Sequence, residues 1–525
     1  MALTFLIGFM AAGKTSVGRA LAHQRGHRFV DLDDEVANQG EPVAALVARD
    51  EAEFRRREAA ALAALIANGG DVVVATGGGA AAYADNLEKM RAAGCVIALD
   101  VDVATARERA GDPASRPLLQ RDPAAIAALA AARAPIYRRA HIVVDTNGRT
   151  LSEVVAQVAE AARVYAGTDS TVVALGARSY PVVVVNGFDR GLLAPLGNHT
   201  KLALVTDDNV AVHWRAEAER VFAPAITVVI PAGEAHKTLA TYERVADQLI
   251  AAGLDRHSAI LALGGGVVGD LAGFVAATLF RGIAVAQLPT TLVAMVDAAI
   301  GGKTAVDTAA GKNLIGAFWQ PKLVACNLAT LATLPQRERR AGFGELWKYA
   351  LLDGRALWNA IDRCAPWATA GGELPDSLRE AITRSIAYKA AVVGRDEHER
   401  TGIRALLNLG HTVGHAIESH TGMLHGEAVG LGLVVACRVS AALGMASPTL
   451  EREVADALIR TGLPHDPNTY LTGSSADAVL ARLHVDKKRI ADKVRFIAIR
   501  EVGACEPVDI NLAELGRILR SPSTP

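Results

Sequence analysis

The first 165 residues alternate short apolar runs with longer amphipathic stretches. Apolar runs lie at residues 3–7, 27–35 (HRFVDLDDE), 71–80 (DVVVATGGGA) and 95–101 (CVIALDV). The stretches between them, such as SVGRALAHQ at 16–24, have the spacing of apolar residues that is typical of helices. Alternation of buried strands and helices predicts a parallel α/β sheet with helices on both faces.

A second series of apolar runs begins after residue 170. Runs at 171–176, 180–187, 202–207, 226–231 and 259–264 predict further strands, and from residue 337 the chain becomes mostly helical. The segment AGTDS at 166–170 is small and polar, which is typical of a domain boundary. We therefore predict a first domain at 1–168 and a second unit at 171–525. The second unit divides into an α/β part at 171–330 and a mostly α-helical part at 331–525.

Composition narrows the class of protein. A chain of 525 residues is too long for one core, and a net charge of −1 argues against nucleic acid as a partner. The five cysteines form no CxxC pair, which excludes a cysteine zinc cluster and suits a reducing cytoplasm. No apolar run reaches the roughly 18 residues of a membrane helix. The segment LTFLIGFMAAG at 3–13 has no basic region before it, so we do not read it as a signal peptide. We expect a cytoplasmic enzyme that binds small molecules.

The first predicted strand runs into a phosphate-binding pattern. Residues 8–15, GFMAAGKT, fit GxxxxGK[ST] between a strand and a helix. In such a loop the backbone N–H groups surround a phosphate chain. Lys14 would reach the β- and γ-phosphates, and Thr15 would hold Mg²⁺. This pattern in this context predicts a nucleotide site.

Other polar residues of this segment lie where strands are predicted to end. Asp31 and Asp33 are expected on one side of the second strand, where they form either part of the site or a solvated acidic turn. Residues 53–58 (EFRRRE) place arginines on a helix, and Gly77, Gly78 and Gly79 follow the third strand. Arg116 lies in the Pro- and Gly-containing segment GDPASRP, and RAPIY at 133–137 is predicted to start a helix.

With these motifs in order, the segment resembles shikimate kinase, a small P-loop kinase. The resemblance implies transfer of the γ-phosphate of ATP to the 3-hydroxyl of shikimate. It assigns Asp33 as the residue that binds and deprotonates that hydroxyl, and Arg116 as a lid arginine, both catalytic together with Lys14. The implied ATP and Mg²⁺ positions are Gly8, Gly13, Lys14, Thr15, Ser16, Asp31, Arg109 and Arg116. The implied shikimate positions are Asp33, Arg55, Gly78, Gly79 and Arg133. Two residues depart from the pattern, since Ala11 and Asp50 stand where the family usually has glycine.

The second unit contains a glycine turn and a lysine-rich segment. Gly264, Gly265, Gly266 and Gly269 follow a predicted strand and fit GxGxxG, which in this context suits a dinucleotide. The acid expected about 20 residues later is missing, so Asp207 and Glu234 are the candidate ribose partners. Residues 287–316 then concentrate polar side chains among glycines, which predicts an anion site in glycine-rich loops. These side chains are Thr290, Thr291, Asp297, Lys303, Lys312 and Asn313.

The helical part contains a histidine-rich stretch. His411 and His415 are four residues apart and share a face if the segment is helical, with Asn408 nearly one turn earlier, and His425 follows at HGE. Imidazoles brought together in this way can bind zinc with a carboxylate. The alternative is a helix with two buried, hydrogen-bonded histidines. Upstream, Glu345 and Lys348 lie on one helical face, a spacing that by itself indicates only a surface ion pair.

Together these motifs resemble 3-dehydroquinate synthase over essentially all of 171–525. The resemblance implies one NAD⁺ and one divalent metal, Zn²⁺ or Co²⁺, and conversion of the phosphorylated sugar acid DAHP into 3-dehydroquinate with release of phosphate. It also implies a homodimer formed through this unit. The implied metal ligands are Glu345, His411 and His425, so His415 faces the substrate, and Lys348, His415 and Asn408 are the implied catalytic residues.

The remaining positions follow from the same resemblance. The implied NAD contacts are Asp207, Glu234, Lys237, Gly265, Gly266, Gly269, Asp270, Thr290, Thr291, Asp297, Lys303, Lys312, Thr330 and Thr333. The implied DAHP contacts are Arg281, Lys303, Asn313, Lys348, Lys389, Arg404, Asn408, His415 and Lys487. Two other functions stay open: a polyol dehydrogenase that uses NAD and a metal in the second unit, and a non-catalytic nucleotide-binding module in the first.

Overall fold

The computed structural model describes residues 3–37, 40–109, 122–137, 139–165, 169–471, 473–483, 489–490 and 493–520. Arg116 and Lys487, two predicted site residues, lie outside these ranges. Among the described residues, no helix is both long and apolar enough to cross a membrane.

The first domain is built on a five-stranded sheet in the order β2-β3-β1-β4-β5, with every neighbouring pair parallel. The strands are β1 (Leu3–Gly8), β2 (Arg28–Asp31), β3 (Val72–Ala75), β4 (Gly94–Asp100) and β5 (Ile142–Asp145). The helices are α1 (Lys14–Arg25), α2 (Leu32–Ala37), α3 (Val43–Arg49), α4 (Glu51–Asn68), α5 (Asn86–Ala93), α6 (Val103–Arg109), α7 (Pro123–Tyr137) and α8 (Leu151–Tyr165). From β1 the chain first forms β2 and β3 on one side of β1, and then crosses to form β4 and β5 on the other side. Because connections between parallel strands are right-handed, this change of direction places helices on both faces of the sheet.

Two details of this domain differ from the prediction. Asp33 lies in α2 and not on a strand, because the carboxylate of Asp31 accepts the N–H of Asp33 (3.2 Å) and the chain turns into a helix at once. Arg133 lies near the end of α7 and not at the start of a helix. Asp31 still ends β2, next to β3 and one strand away from β1, so the predicted groups meet at one edge of the sheet.

The second unit contains a seven-stranded sheet in the order β6-β7-β14-β11-β10-β8-β9, in which only β6 and β7 are antiparallel. Its strands are β6 (Asp169–Val173), β7 (Tyr180–Val185), β8 (Leu202–Asp207), β9 (Ile226–Ile230), β10 (Ala259–Gly264), β11 (Ala284–Pro289) and β14 (Leu323–Asn327). Its helices are α9 (Asp208–Val210), which continues as a π-helical turn into α10 (Ala216–Phe222), then α11 (Leu239–Ala251) and α12 (Gly266–Thr278).

The glycines of the lysine-rich segment predicted loops, and this prediction is wrong. The segment folds as an antiparallel hairpin of β12 (Lys303–Thr308) and β13 (Gly311–Phe318). Gly316 permits this pairing, because a Cβ at that position would lie 2.1 Å from the Thr304 carbonyl oxygen of the opposite strand. The predicted anion-binding lysines are therefore carried on strands.

The last part is mostly helical, as predicted. Its helices are α13 (Gln336–Asp353), α14 (Arg355–Ala370), α15 (Asp376–Arg395), α16 (His411–Thr421), α17 (His425–Ala442), α18 (Thr449–Arg460), α19 (Gly473–Leu483) and α20 (Leu512–Arg520). A small antiparallel sheet, which was not predicted, consists of β15 (Arg489–Ile490), β16 (Lys493–Glu501) and β17 (Ala504–Asn511). Asn408 ends a 3₁₀ turn and is not on α16, because Gly410 adopts a left-handed conformation (φ 76°) that separates the two.

Glycines bring three helices of this part into backbone contact. A Cβ on Gly426 of α17 would lie 1.8 Å from the Ala341 carbonyl oxygen of α13. A Cβ on Gly432 would lie equally close to the Gly410 carbonyl oxygen, next to the start of α16. This close packing places Glu345 of α13 beside the histidines of α16 and α17.

The two domains contact each other through α8. Its apolar side chains belong to the same buried cluster as Leu192, Leu193 and Leu196, which lie in a 3₁₀ segment before β8. The Tyr165 hydroxyl donates to the Leu192 carbonyl (3.3 Å), and the Arg163 guanidinium pairs with Asp189 (2.6 Å). Packing therefore joins the two domains, in addition to the covalent connection between them. The domain boundaries at residues 168 and 171 stay a prediction.

Candidate active sites

The phosphate-binding loop of the first domain connects β1 to α1. Lys14 is buried and its Nζ donates to the carbonyls of Gly8 and Phe9 (both 2.9 Å). The Thr15 hydroxyl donates to Asp31 Oδ2 (2.8 Å), which joins the loop to the end of β2. Ser16 is exposed in the first turn of α1, and Gly13 precedes that helix in a left-handed conformation (φ 93°). The loop therefore presents a helix N-terminus, a lysine and a hydroxyl–carboxylate pair at one place, as a phosphate–metal site requires.

A cavity of about 430 Å³ opens beside this loop. It is lined by Glu51, Ala52, Arg55, Gly79, Ala82, Tyr83 and Arg133. Any side chain on Gly79 would collide with the Arg55 guanidinium, since a Cβ there would lie 2.3 Å from Nη2. The structure thus brings together three of the predicted shikimate residues, Arg55, Gly79 and Arg133. Two guanidinium groups in one cavity suit a carboxylate ligand.

Asp33 lies close to this cavity, on the far side of Gly77. A Cβ on Gly77 would lie 2.8 Å from Asp33 Oδ1 and 2.4 Å from Glu58 Oε1, so the two carboxyl groups face the same small space. Burial, followed by the neighbouring Asp31, raises the pKa of Asp33 above its ordinary value. Among the described residues, neither Asp33 Oδ1 nor Glu58 Oε1 has a hydrogen-bond partner. A buried carboxylate with a raised pKa and a free oxygen is suited to accept a proton.

Two residues that sequence reasoning missed complete this site. Glu58 is fully buried and accepts a hydrogen bond from Arg55 (2.6 Å), which fixes the guanidinium. The Tyr137 hydroxyl donates to the Gly78 carbonyl, and burial raises the pKa of Tyr137 to about 12. Their positions in EFRRRE and RAPIY were the only sequence signal. Arg109 donates to Thr146 Oγ1 (3.0 Å) and to the Thr146 carbonyl (2.5 Å) at the end of β5.

The histidine cluster of the second unit is a compact group of donors. One ring nitrogen from each of His411, His415 and His425 lies within 4.8 Å of the others. Glu345 Oε1 is fully buried and lies 3.4 Å from His411 Nε2 and 3.2 Å from His425 Nε2. Three imidazoles and one carboxylate form a donor set that suits Zn²⁺ or Co²⁺. His415 is exposed, whereas His411 is buried.

The electrostatics of the cluster favour a cation. Burial lowers the pKa of His411, with Glu345 acting in the opposite direction. Burial also opposes protonation of His425, but hydrogen bonds to Glu345 and Glu418 outweigh it and raise the pKa of His425 to about 10. The two carboxylates thus stabilise positive charge on or beside this imidazole.

A buried ion network adjoins the cluster. Lys348 Nζ, fully buried, lies 2.5 Å from Glu345 Oε2 and 3.2 Å from Asp297 Oδ1, and Lys389 Nζ lies 2.8 Å from the same Asp297 oxygen. Although burial opposes the shift, the two lysines hold the pKa of Asp297 below its ordinary value. Burial and the neighbouring Lys348 lower the pKa of Lys389 to about 8, with Asp297 opposing the shift. The Glu345–Lys348 pair is therefore no surface ion pair.

One further member of this network was not predicted. Tyr349 is fully buried, and its hydroxyl donates to Asp297 Oδ1 (2.7 Å). Nothing in its sequence context distinguishes it from an ordinary core tyrosine. It adds a third donor to the carboxylate that Lys348 and Lys389 already hold.

The predicted dinucleotide residues lie along the carboxyl edge of the large sheet. Gly264 at the end of β10 is paired with Pro289 of β11, so the glycine turn adjoins Thr290 and Thr291. Gly265 caps α12, which begins at Gly266 and carries Gly269 and Asp270, and Asp207 accepts the Val210 N–H (2.9 Å) at the end of β8. Thr330 and Thr333 lie on the 3₁₀ turn that follows β14. A glycine turn at a helix N-terminus is a place where a pyrophosphate can bind.

Lys237 connects this edge to the hairpin. Its buried ammonium lies 2.9 Å from Glu234, 3.2 Å from Asp270 and 3.8 Å from Asp307. Burial raises the pKa of Asp270 to about 6, with Lys237 acting in the opposite direction. Asp307 also accepts the backbone N–H of Asn313 (2.8 Å), and a cavity of about 470 Å³ lies beside Glu234 and Asp307.

The remaining predicted substrate residues are only partly brought together. Arg404 is buried and donates to the Glu397 carbonyl (2.6 Å) and the Gly301 carbonyl (3.3 Å). Lys303 is half exposed and pairs with Glu399 (2.5 Å), whose other neighbour is Arg404 (3.5 Å). Asn408 is half-buried. Arg281 is exposed after α12, and within the described ranges it has neither a hydrogen bond nor an ion pair.

Comparison with known proteins identifies the family. Residues 227–341 match the model of the 3-dehydroquinate synthase N-terminal domain, and residues 342–489 match that of its C-terminal domain. The 3-dehydroquinate synthase of Pelobacter propionicus is 44% identical over 361 residues, which cover 65% of this chain and 96% of that protein. The chain belongs to the 3-dehydroquinate synthase family. A second relative, the 3-dehydroquinate synthase of a Bradyrhizobium species, is 43% identical over 351 residues, 63% of this chain and 90% of that protein.

The first domain has a separate match, because residues 10–163 fit the shikimate kinase family model. The chain is therefore a fusion of a shikimate kinase domain with a 3-dehydroquinate synthase, which confirms both resemblances. Among solved structures, a 2-deoxy-scyllo-inosose synthase complexed with carbaglucose-6-phosphate, NAD⁺ and Co²⁺ aligns with a TM-score of 0.59 and 25% identity over 67% of this chain and 99% of that chain. This alignment confirms the predicted fold class of the second unit.

Proposed function

We propose that the chain catalyses two reactions of the shikimate pathway at two separate sites. The first domain phosphorylates shikimate with ATP to give shikimate 3-phosphate. The second unit converts DAHP into 3-dehydroquinate and phosphate. The observation that carries the second assignment is the meeting of Glu345, His411 and His425 beside the buried Lys348–Asp297–Lys389 network. Because 3-dehydroquinate must be dehydrated and reduced before it becomes shikimate, the product of one site is not the substrate of the other.

In the kinase, Lys14 and the loop N–H groups neutralise the phosphates of ATP, and Thr15 with Asp31 would hold Mg²⁺. Asp33 accepts the proton of the shikimate 3-hydroxyl. Arg55 and Arg133 bind the carboxylate of shikimate, with Gly78 and Gly79 leaving room for the ring. Glu58 keeps Arg55 in place. Arg109 and Arg116 are assigned to the nucleotide side.

In the synthase, the fit of the donor set supports a metal held by Glu345, His411 and His425. A bound divalent metal supplies polarisation of a substrate oxygen, and bound NAD⁺ supplies reversible hydride transfer without net redox change. His415, exposed beside the ligands, is left to contact substrate or move a proton. The glycine turn, Asp207 and Lys237 bind the dinucleotide. The solved relatives that hold NAD⁺ with Co²⁺ or Zn²⁺ support this assignment.

The positive side chains set the substrate class. Lys348, Lys389 and Arg404 are buried. Lys303 pairs with Glu399, which also lies beside Arg404. Glu345 and Asp297 already offset Lys348 and Lys389, which leaves Arg404 and Lys303, among the described residues, with only Glu399 between them. DAHP brings both a carboxylate and a phosphate, which such cations can bind. A neutral polyol carries no charge that could pair with these positive side chains, which argues against the polyol dehydrogenase. We also propose a cytoplasmic homodimer formed through the synthase unit, with domains at 1–168 and 171–525.

Two assays on the purified chain test the proposal. Phosphate release is measured with DAHP, NAD⁺ and Zn²⁺, and ADP formation is measured with ATP, Mg²⁺ and shikimate. We expect both activities, each dependent on its own substrate. Net NADH formation with glycerol and no phosphate release from DAHP would favour the dehydrogenase. ATP binding without ADP formation would make the first domain a non-catalytic module.

A further inference from the structure

Glu418 lies between two parts of the synthase site without belonging to any of the predicted sets. It sits on α16, seven residues after His411, and its side chain is 14% exposed. Oε2 lies 3.1 Å from His425 Nδ1, and Oε1 lies 2.8 Å from Lys312 Nζ on β13. One carboxylate oxygen of Glu418 therefore contacts the histidine cluster, and the other contacts the hairpin.

The contact to His425 orients the ring. His425 Nε2 faces Glu345 Oε1 (3.2 Å), so its two ring nitrogens lie between two carboxylates. When Nδ1 carries the proton and donates it to Glu418, the lone pair of Nε2 is free for a metal on the Glu345 side. A carboxylate on the far nitrogen of a ligating histidine fixes its tautomer and direction.

His411 is oriented in a different way. Its Nδ1 lies 3.0 Å from the Leu409 carbonyl oxygen, which belongs to the backbone just before α16. The Leu409 carbonyl is part of the backbone and is fixed by the fold. The orientation of the His425 ring depends instead on the side chain of Glu418, which also contacts the hairpin.

The contact to Lys312 extends the arrangement toward the dinucleotide residues. Lys312 Nζ lies 3.9 Å from Glu234, which pairs with Lys237 (2.9 Å). A single exposed Lys–Glu pair contributes little, typically about 0–1 kcal/mol. We therefore assign the main effect of Glu418 to the His425 contact, and a smaller one to the position of the hairpin.

We propose that Glu418 is a positioning residue that orients His425 for metal binding and attaches the β12–β13 hairpin to the metal centre through Lys312. This inference rests on the metal site of the proposed function. It makes metal affinity, and not only turnover, depend on a residue that does not ligate the metal.

The test compares three variants of the full chain by competition with a chromophoric chelator for Zn²⁺. Glu418→Leu removes both contacts, and we expect Zn²⁺ affinity to fall about 10- to 100-fold. Glu418→Gln keeps an acceptor for His425 and loses the charge, so its affinity should lie between those of Glu418→Leu and the wild type. Lys312→Met breaks only the hairpin contact and should change Zn²⁺ affinity less than about twofold. The circular dichroism spectrum and thermal unfolding of each variant serve as the control for folding of the synthase unit.

Each result decides the question. Wild-type affinity in Glu418→Leu would overturn the proposal, and so would an equal loss in Lys312→Met. Should Glu418→Leu not fold, Glu418→Gln decides alone, because an affinity equal to that of the wild type would then contradict a charge-assisted contact. Failure of the wild-type chain to bind Zn²⁺ at all would instead contradict the metal site itself.

Discussion

The kinase and synthase sites achieve binding of anionic substrates by different means. The kinase site lies along an open edge of a small sheet, and most of its groups come from one stretch, residues 8–79. The synthase site is assembled from α13, α15, α16, α17 and a hairpin, and its central carboxylate–lysine pair is fully buried. An open site made of local motifs can be understood from the sequence alone. A buried site made of distant residues depends on packing.

The difference extends to charge. In the kinase, Glu58 is fully buried and is paired with one arginine, Arg55, whose side chain is 14% exposed. In the synthase, the side chains of Glu345 and Lys348 are fully buried, and Asp297 (23% exposed) and Lys389 (6% exposed) complete a network of two carboxylates and two lysines that compensate one another. Removing one member of such a network leaves a buried charge without its partner, which is costly. We therefore expect substitutions in the synthase network to affect folding and metal content, and a substitution at Asp33 of the kinase to affect mainly turnover.

The largest effect is expected at the metal ligands. His425→Ala should lose bound metal and synthase activity, because it removes a ligand. His415→Ala should keep the metal and turn over slowly, since in the proposed assignment His415 contacts substrate and does not ligate. Elemental analysis of both purified proteins measures this, with the exposed neighbour His420→Ala as the matched control. A metal-free His415→Ala beside a metal-containing His425→Ala would reverse the assignment.

A large effect confined to turnover is expected at Asp33. Asp33→Asn removes the proposed proton acceptor and should lower the kinase rate by about 10²- to 10⁴-fold, with little change in stability. Steady-state ADP formation measures the rate. Asp34→Asn, one residue further and exposed on the same helix, is the control and should behave like the wild type. An unchanged rate in Asp33→Asn would remove its proposed role.

A smaller effect concerns the pH dependence of folding stability, in which the two domains are expected to differ. His141 is buried beside β4, its Nδ1 accepts the Val96 N–H (2.9 Å), and burial with Arg91 lowers its pKa to about 4 from an ordinary 6.5. The unfolded chain therefore takes up the proton first. The stability that neutral His141 contributes is complete above pH 6.5 and is lost as the pH falls from 6.5 toward 4, by on the order of 2 kcal/mol at pH 4.5.

His141→Asn keeps an acceptor for Val96 without a titrating group. Urea unfolding followed by kinase activity should therefore show a smaller loss of stability between pH 7 and pH 4.5 in this variant than in the wild type. The exposed His23→Asn serves as control and should keep the wild-type pH dependence. Equal pH dependence in His141→Asn and the wild type would show that other groups dominate.

Much of the kinase site could be predicted because its signals are local. The strand–loop–helix pattern around Lys14 and the three glycines after β3 are where the sequence placed them. The error at Asp33 was also local, because the Asp31 side chain caps the next turn and starts α2 one residue after the strand. Asp50 shows a similar effect, since its carboxylate accepts the Glu53 N–H (2.9 Å) and caps α4 where the family usually has glycine. Ala11 adopts a left-handed backbone (φ 59°), which explains the usual glycine there.

The residues themselves predicted the histidine cluster and the glycine turn of the synthase site, whereas the rest of the site could be predicted only through family resemblance. Tyr349 and Glu418 act through contacts with Asp297 and Lys312, which are distant in sequence, and a single Tyr or Glu on a helix has no local signature. The hairpin was mistaken for loops because glycines such as Gly316 serve close strand pairing there and not turns. Asn408 was placed on the helix because periodicity cannot show the left-handed Gly410 that separates the 3₁₀ turn from α16.

The central claim is that one chain holds two complete and separate active sites. It is tested most directly by assaying Lys14→Ala and His425→Ala each for both reactions, with ADP formation from shikimate and ATP beside phosphate release from DAHP. We predict that Lys14→Ala loses the kinase and keeps the wild-type synthase rate, and that His425→Ala shows the reverse. Loss of both activities in either folded variant, or retention of the targeted activity, would contradict the claim.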